Sequence, residues 1–443
     1  MHLGNNEMGK IRMALSSLTV YRNMLEDKVL SGLKSLLAII DNENFDLYKA
    51  VDLYNELYFA VISSGNCFSL REYIIKAVVL DENPFTKAAE IEDFSYVDQV
   101  YRKAVENDLN SLQIISCSSA AITSCLLNHS KVEDAIPFNI FPLEADFINK
   151  SGFKGLDILI NAFCSSSRWS DCFGSLCSYY SEYGYGPFSL YTSFIWEHSG
   201  NKGFLRQVEN PDPIKLSDLI DYESERSEVI NNTLQLLDGQ RANNVLLYGD
   251  RGTGKSSTVK AIVNEYFDKG LRIIEVPKVN LIDFGIIAGS LRNRRHKFII
   301  FVDDLAFEDN EENYTALKAA LEGGIESKPQ NVVIYATSNR RHLVKEKFSD
   351  RQGLLSQNRD EEIRAQDSIQ EKLSLADRFG ITVIFSSPDK YKYLKIVEGI
   401  VKNRGLEIDR ETLHKEALKW ELWYNGRSPR TARQFVDWLQ GKK

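Results

Sequence analysis

Eight residues, G-D-R-G-T-G-K-S from Gly249 to Ser256, follow the apolar run N-V-L-L-Y (244–248) and precede a helical pattern over 256–267. This is the G-x-x-x-x-G-K-[ST] pattern in its meaningful context, between a strand and a helix. Gly249, Gly252 and Gly254 let a loop wrap around phosphates with no Cβ in the way. Backbone N–H groups then point inward at a helix N-terminus, where the helix dipole favours anions. Thr253 and Ser257 belong to the same cradle. Lys255 neutralises the β- and γ-phosphates, and the Ser256 hydroxyl ligates Mg²⁺. The chemistry implied is capture of a nucleotide.

A second group follows the run F-I-I-F-V (298–302), which ends in Asp303 and Asp304. Two carboxylates at the end of a buried strand are costly unless a cation or water network satisfies them. Mg²⁺ held through water by Asp303 meets that need, and Asp304 is then placed to polarise an attacking water. Glu308, in the stretch F-E-D-N-E-E, is an alternative for the second role. A solvated acidic turn would explain neither the strand context nor the Lys255 partner.

These residues need a scaffold. Short apolar runs at 244–248, 271–276, 298–302, 331–336 and 381–385 alternate with helical patterns. Near-continuous apolar strands separated by helices predict a parallel sheet covered on both faces. From about 388 the pattern is helical. Upstream, residues 11 to about 205 read as mostly helical, with candidate helices at 12–40, 45–62, 69–80, 95–128, 155–164 and 169–180. In 45–62, Phe45, Tyr48, Val51, Tyr54, Leu57, Tyr58 and Val61 recur every three or four residues and predict one buried face. The aromatic stretch 179–196 reads either as core packed around a Gly/Pro-broken loop or as a partner-binding patch. Gly200, Gly203, Pro211 and Pro213 punctuate a polar stretch that reads as a linker. The division expected is a helical domain 1–205, a P-loop core 206–387 and a helical lid 388–443.

The order of these elements resembles the AAA+ ATPases. The resemblance implies a five-stranded parallel sheet with flanking helices, followed by a small helical lid. Asp303-Asp304 resembles their Walker B pair, although most members carry Glu at the second place. Asn339, ending A-T-S-N, stands where the family carries its sensor 1 residue, whose amide could orient the lytic water. Arg378, in L-A-D-R-F-G, resembles the arginine finger that completes a neighbouring subunit's site; a guanidinium suits charge spread over phosphoryl oxygens. It implies a homo-oligomeric ring or arc, a hexamer by family analogy. Arg430, in R-S-P-R-T-A-R, matches the sensor 2 arginine of the lid, with Arg427 and Arg433 as competitors. Its place in a first helical turn opposes the dipole, which suggests a compensating anion. Ile220 and Tyr222 fall in a segment similar to the one that cups adenine. The set G-D-R-G-T-G-K-S-S, F-V-D-D-L-A-F-E, L-K-A-A-L-E-G-G, A-T-S-N-R-R-H-L and L-A-D-R-F-G is similar to a bacterial AAA+ family known only as a domain of unknown function, over about 205–443. The implied ligands are ATP and Mg²⁺.

Composition limits the partners. Residues 1–200 hold 15 of the 54 basic and 25 of the 62 acidic side chains, so this half is acidic and a poor phosphate-backbone binder. The basic run R-N-R-R-H-K (292–297) leaves a nucleic-acid contact open. All six cysteines lie in the acidic half, none in a C-x-x-C pair; they read as small buried hydrophobes, with a Cys/His metal site using His129 as the competing reading. No apolar run of about 18 residues suggests a membrane span, and the N-terminus lacks the layout of a secretory signal, so a cytoplasmic protein is expected. Three functions fit: an ATPase driving conformational change on a protein client, an ATP-gated interaction module with little turnover, and a small-molecule phosphotransferase.

Overall fold

A computed structural model of the chain describes residues 2–40, 45–64, 67–91, 99–132, 139–144, 153–200, 202–305, 311–322, 328–339, 378–424 and 426–442. Two compact units divide it, Met1–Leu190 and Tyr191–Lys443.

Helices α1 (His2–Ser16), α2 (Lys28–Ile40), α3 (Leu47–Ser63), α4 (Leu70–Leu80), α5 (Pro84–Ile91), α6 (Gln99–Ser116), α7 (Ser119–Val132), α8 (Lys154–Ser165) and α9 (Phe173–Tyr183) build the first unit around one apolar cluster. Side-chain caps start several of them: Asp46 accepts from the Lys49 N–H, and Ser69 from that of Glu72. The span 12–40 is two helices rather than one. The break is set from far along the chain, because the buried Asp108 carboxylate accepts the N–H groups of Thr19, Val20 and Tyr21. Likewise 95–128 breaks after Ser116, where Ser119 accepts the Leu143 N–H. The buried face of α3 is Leu47, Ala50, Tyr54, Leu57 and Val61. Tyr48, expected on that face, is 73% exposed. In the aromatic stretch Tyr179, Tyr180, Tyr185 and Phe188 are buried, as core packing requires.

The second unit is built on one sheet of β1 (Ser193–Ser199), β2 (Lys202–Gln207), β3 (Val245–Gly249), β4 (Leu271–Glu275), β5 (Lys297–Val302), β6 (Val332–Ser338) and β7 (Ile381–Phe385). The spatial order is β2-β1-β4-β5-β6-β3-β7. The five predicted strands β3 to β7 are present and mutually parallel. The sheet nevertheless has seven strands and is mixed, not five and purely parallel. β1 adds in parallel beside β4, and β2 pairs antiparallel with β1 at the edge. Residues 202–207, part of the stretch read as a linker, are therefore a strand. Gly200, at φ +61°, sits in the hairpin turn. Gly203 accommodates the Trp196 indole, since a Cβ there would stand 2.1 Å from Trp196 Cζ2.

Around the sheet lie α10 (Glu223–Leu237), α11 (Lys255–Tyr266), α12 (Phe284–Ser290) and α13 (Glu311–Glu322). Three further helices follow β7: α14 (Lys390–Asn403), α15 (Arg410–Trp423) and α16 (Pro429–Gln440). Their Tyr393, Val397, Leu413, Ala417, Phe435 and Val436 share an apolar cluster with Val383 and Phe385 of β7, which seats these helices on the sheet. Among the described residues no single helix is long and apolar enough to cross a membrane; only α6 and α7 together pass, across a 42° bend.

Candidate nucleotide site

The phosphate loop is shaped by backbone conformations that side chains resist. Gly249, Gly252 and Gly254 have φ of +140°, +77° and +95°. A Cβ on Gly249 would stand 2.0 Å from the Phe385 carbonyl oxygen, so the loop presses against the end of β7. Asp250 ties the same junction. Its N–H donates to Phe385 O at 3.0 Å, and its carboxylate accepts the Ser387 N–H at 2.8 Å. Hydrogen bonding from the Ser387 side chain, and then from its N–H, holds the Asp250 carboxyl below the usual carboxylate range.

Lys255 opens α11 with its side chain nearly buried. Its Nζ donates to the carbonyls of Gly249 at 2.9 Å and Asp250 at 2.7 Å, and to Asn339 Oδ1 at 3.0 Å. Burial lowers the ammonium's pKa, against the opposing pull of Asp250, Asp303 and Asp304. The ammonium is thus held inside the loop it would serve, on acceptors that a phosphate oxygen can replace.

Across from it, the ends of β5 and β6 converge. Ser256 Oγ donates to Asp303 Oδ1 at 2.6 Å. Thr337 Oγ1 donates to the same oxygen at 2.5 Å and accepts the Asp304 N–H at 2.9 Å. Asp304 sits at φ +50°, uncommon outside glycine, and its Oδ1 accepts from Asn339 Nδ2 at 2.8 Å. The Asn339 amide therefore bridges Lys255 and Asp304. Parallel pairing of β5 with β6 and of β3 with β6 brings these three strand ends to one rim.

A cavity of about 410 Å³ opens on this rim. Gly252, Gly254, Lys255, Ser256, Ser257, Asp303, Asp304, Asn339 and Arg430 line it among the residues expected from sequence, as does Arg433, the competitor of Arg430, and Arg251 and Thr337 join them. Four cationic side chains face two carboxylates, a balance suited to a polyanion carrying a divalent cation. Arg430 enters in the first turn of α16, whose Ser428 hydroxyl caps the Thr431 N–H. Arg427 is instead turned onto both oxygens of Glu421, at 2.8 Å each.

Other expected residues lie elsewhere. Gly249 and Thr253 shape the loop behind the cavity, Thr253 Oγ1 donating to the Asp250 carbonyl at 2.8 Å. Ile220 and Tyr222 do not line it. Tyr222 is buried, stacked on Phe385 with ring centroids 5.5 Å apart, and its hydroxyl donates to Ser386 O. Ile220 packs against Gly399. Arg378 stands in the turn before β7, half-buried, and is not among the residues that line the cavity. Glu308 lies outside the described residues. Of the basic run 292–297, His296 is buried and Lys297 opens β5. His129 stacks on Phe45, and among the described residues no group of three or more His, Cys, Asp or Glu is placed to hold a metal. Thr337, near the end of β6, was not singled out in the sequence.

A family model described as a protein of unknown function, DUF815, matches residues 189–443, more than half of the chain. The chain belongs to the DUF815 family. In this DUF815 protein the matched span takes in the whole sheet, the phosphate loop and the lid. No curated protein matches it. Among solved structures, it is similar to a mutant of the Thermotoga maritima protein RuvB at 17% identity and a TM-score of 0.33, over 50% of this chain and 62% of that one. The Thermotoga maritima RuvB Holliday junction branch migration motor is similar at 15% identity and a TM-score of 0.31, over 51% of this chain and 72% of that one. The DUF815 chain thus spans less than two thirds of the first of these.

Proposed function

We propose that this protein is an Mg²⁺-dependent ATPase that hydrolyses ATP to ADP and phosphate and uses the cycle to change conformation within a homo-oligomer. The observation that carries the reading is the hydrogen-bonded chain Lys255–Asn339–Asp304 beside Ser256–Asp303, which joins residues up to 84 positions apart on one cavity wall. Two carboxylates, a buried ammonium and two arginines from the last helix around one opening suit a triphosphate.

The site fits Mg²⁺ by its chemistry: Asp303 Oδ1 takes three donors, and Oδ2 keeps its lone pairs free of partners among the described residues. Ser256 and Asp303 are the residues that would hold the ion, which when bound neutralises charge on the β- and γ-phosphate oxygens. Lys255 exchanges loop carbonyls for phosphate oxygens. Asp304 accepts a proton from, or orients, the attacking water, and Asn339 fixes that carboxylate's direction. Arg430 and Arg433 reach the phosphates from the lid. Arg378, which does not line its own chain's cavity, serves a neighbouring subunit's site. The helical N-terminal unit recognises a protein client.

The second reading, an ATP-gated module with little turnover, draws on Asp304 itself, one methylene shorter than glutamate and already occupied by Asn339. Three preparations separate the readings. Lys255→Ala is expected to lose ATP binding, and Asp304→Asn to bind ATP yet turn over at least about tenfold more slowly. Arg378→Ala mixed with Asp304→Asn is expected to recover part of the activity that each lacks alone. Wild-type turnover no higher than that of Lys255→Ala would overturn the ATPase reading and leave the gated module.

A further inference from the structure

A second cavity, of about 130 Å³, opens in the sheet unit and shares no lining residue with the nucleotide site. Its floor follows from strand register. Glu275 pairs with Ile195 on one side and Phe301 on the other, so the three side chains stand in one row on one face of the sheet. Ile273, two residues back along β4, points the same way. Helix α11 contributes Lys260, Val263 and Asn264, whose spacing of three and four puts them on one side of the helix. Val263, Ile273 and Phe301 belong to one apolar cluster, so the bottom of the cavity is hydrocarbon. The chain after β2 closes the third side. Asn264 holds it there, Nδ2 donating to the carbonyls of Asp212 at 2.7 Å and Ile214 at 2.8 Å. Asn210 and Asp212 are exposed and mark the mouth.

Two opposite charges border this cavity without pairing. Lys260 and Glu275 both line it and both are half-buried. Among the described residues neither side chain has a hydrogen bond or an ion pair. Partly desolvated charges are costly without partners. A small anion would answer Lys260 and leave Glu275, and a small cation would do the reverse. A zwitterion answers both. The apolar floor then fixes the rest of the ligand. A cavity of about 150 Å³ holds a benzene, so this one holds a branched aliphatic side chain with its charged head group at the opening.

We propose that the cavity is a binding site for a free α-amino acid with an aliphatic side chain, with leucine as the probe of the class. Its carboxylate pairs with Lys260, its ammonium with Glu275, and its side chain lies against Val263, Ile273 and Phe301. The site stands independently of nucleotide chemistry, although Lys260 is carried on the helix that opens with Lys255 and Ser256.

Titration calorimetry of the full chain with leucine, glycine, leucinamide and N-acetylleucine tests the assignment. Glycine lacks the side chain, and the last two each lack one charge of the head group. Leucine is expected to bind saturably at millimolar concentration or below, and each of the others at least about tenfold more weakly. Lys260→Met and Glu275→Gln are each expected to weaken leucine by about tenfold. A thermal melt separates lost binding from lost fold, and the ligand series needs no variant at all. Lys255→Ala is expected to bind leucine as the wild type does, which keeps the result separate from the ATPase reading. A wild type that binds none of leucine, isoleucine and valine would overturn the proposal. So would equal affinities for leucine and either blocked form, or folded variants that bind leucine unchanged.

Discussion

The Arg430 N–H donates to the Gly252 carbonyl at 3.1 Å, so the first turn of the last helix is anchored directly on the phosphate loop. The contact is close: a Cβ on Gly252 would stand 3.0 Å from Arg430 Cβ and 3.0 Å from Ser428 Oγ, and its φ of +77° disfavours any side chain. The first turn of α16 and the phosphate-loop segment thus share a backbone hydrogen bond and a close packing contact.

Gly252→Ala should show this coupling. Left-handed backbone and crowding together cost about 1–3 kcal/mol, and the cheapest relief is to push Ser428 and Arg430 away. The expected outcome is a lower melting temperature for the second unit and ATP affinity reduced by about tenfold or more. A variant that binds nucleotide like the wild type would show that the lid contact is incidental.

Thr337 is the residue to test at the metal side. Its hydroxyl serves Asp303 and Asp304 at once, so Thr337→Val keeps the shape and removes both bonds. A hydrogen bond to a charged group contributes about 1.5–3 kcal/mol. We expect the gain in nucleotide affinity on adding Mg²⁺ to shrink by about tenfold, with affinity in EDTA unchanged. Paired titrations with and without Mg²⁺ measure it, and an unaltered difference would count against the bridge.

The legible parts of the molecule were those with a local cause. Gly249 to Ser256 is a contiguous loop whose glycines are demanded by its own curvature, and β3 to β7 are apolar because both sheet faces are covered. The seven-stranded sheet was not legible, because Gly200 and Gly203 look alike in sequence. One is a turn glycine and the other makes room for Trp196, a residue seven positions away. Tyr48 has the spacing of a buried position but misses the core, since spacing gives a helix's period and not its phase. Thr337 was hidden because one hydroxyl in a buried strand has no signature until its neighbours' carboxylates are placed.

The break between α1 and α2 yields a prediction for the same reason. Asp108 is fully buried and takes three consecutive N–H groups, plus the Thr19 hydroxyl, across about 88 residues of chain. Asp108→Ala leaves the buried Tyr21 N–H and the half-buried Val20 N–H without this acceptor, at about 1–3 kcal/mol each. We expect the first unit to lose on the order of 3–5 kcal/mol, read as a shifted urea midpoint at constant slope, while Asp108→Asn recovers part. A loss below about 1 kcal/mol would mean water replaces the carboxylate.

Lys328 supplies a pH dependence. Burial brings its ammonium from 10.5 down to about 8, although Nζ still donates to Asn244 Oδ1 at 2.8 Å. A lysine with a depressed folded-state pKa destabilises the fold wherever it is charged in both states, here below about pH 8. Between about pH 8 and 10.5 the unfolded chain binds the extra proton, so this group's contribution to stability rises with pH across that window. Lys328→Met removes the buried charge and leaves Asn244 its remaining donor, the Ile334 N–H at 3.0 Å. At pH 7 the variant should be more stable by about 1–2 kcal/mol, the full shift discounted for the lost hydrogen bond. Its stability should also climb less than that of the wild type from pH 8 to pH 10. Chemical denaturation at the three pH values tests both, and parallel curves for the two proteins would show that Lys328 is solvated as an ordinary surface lysine.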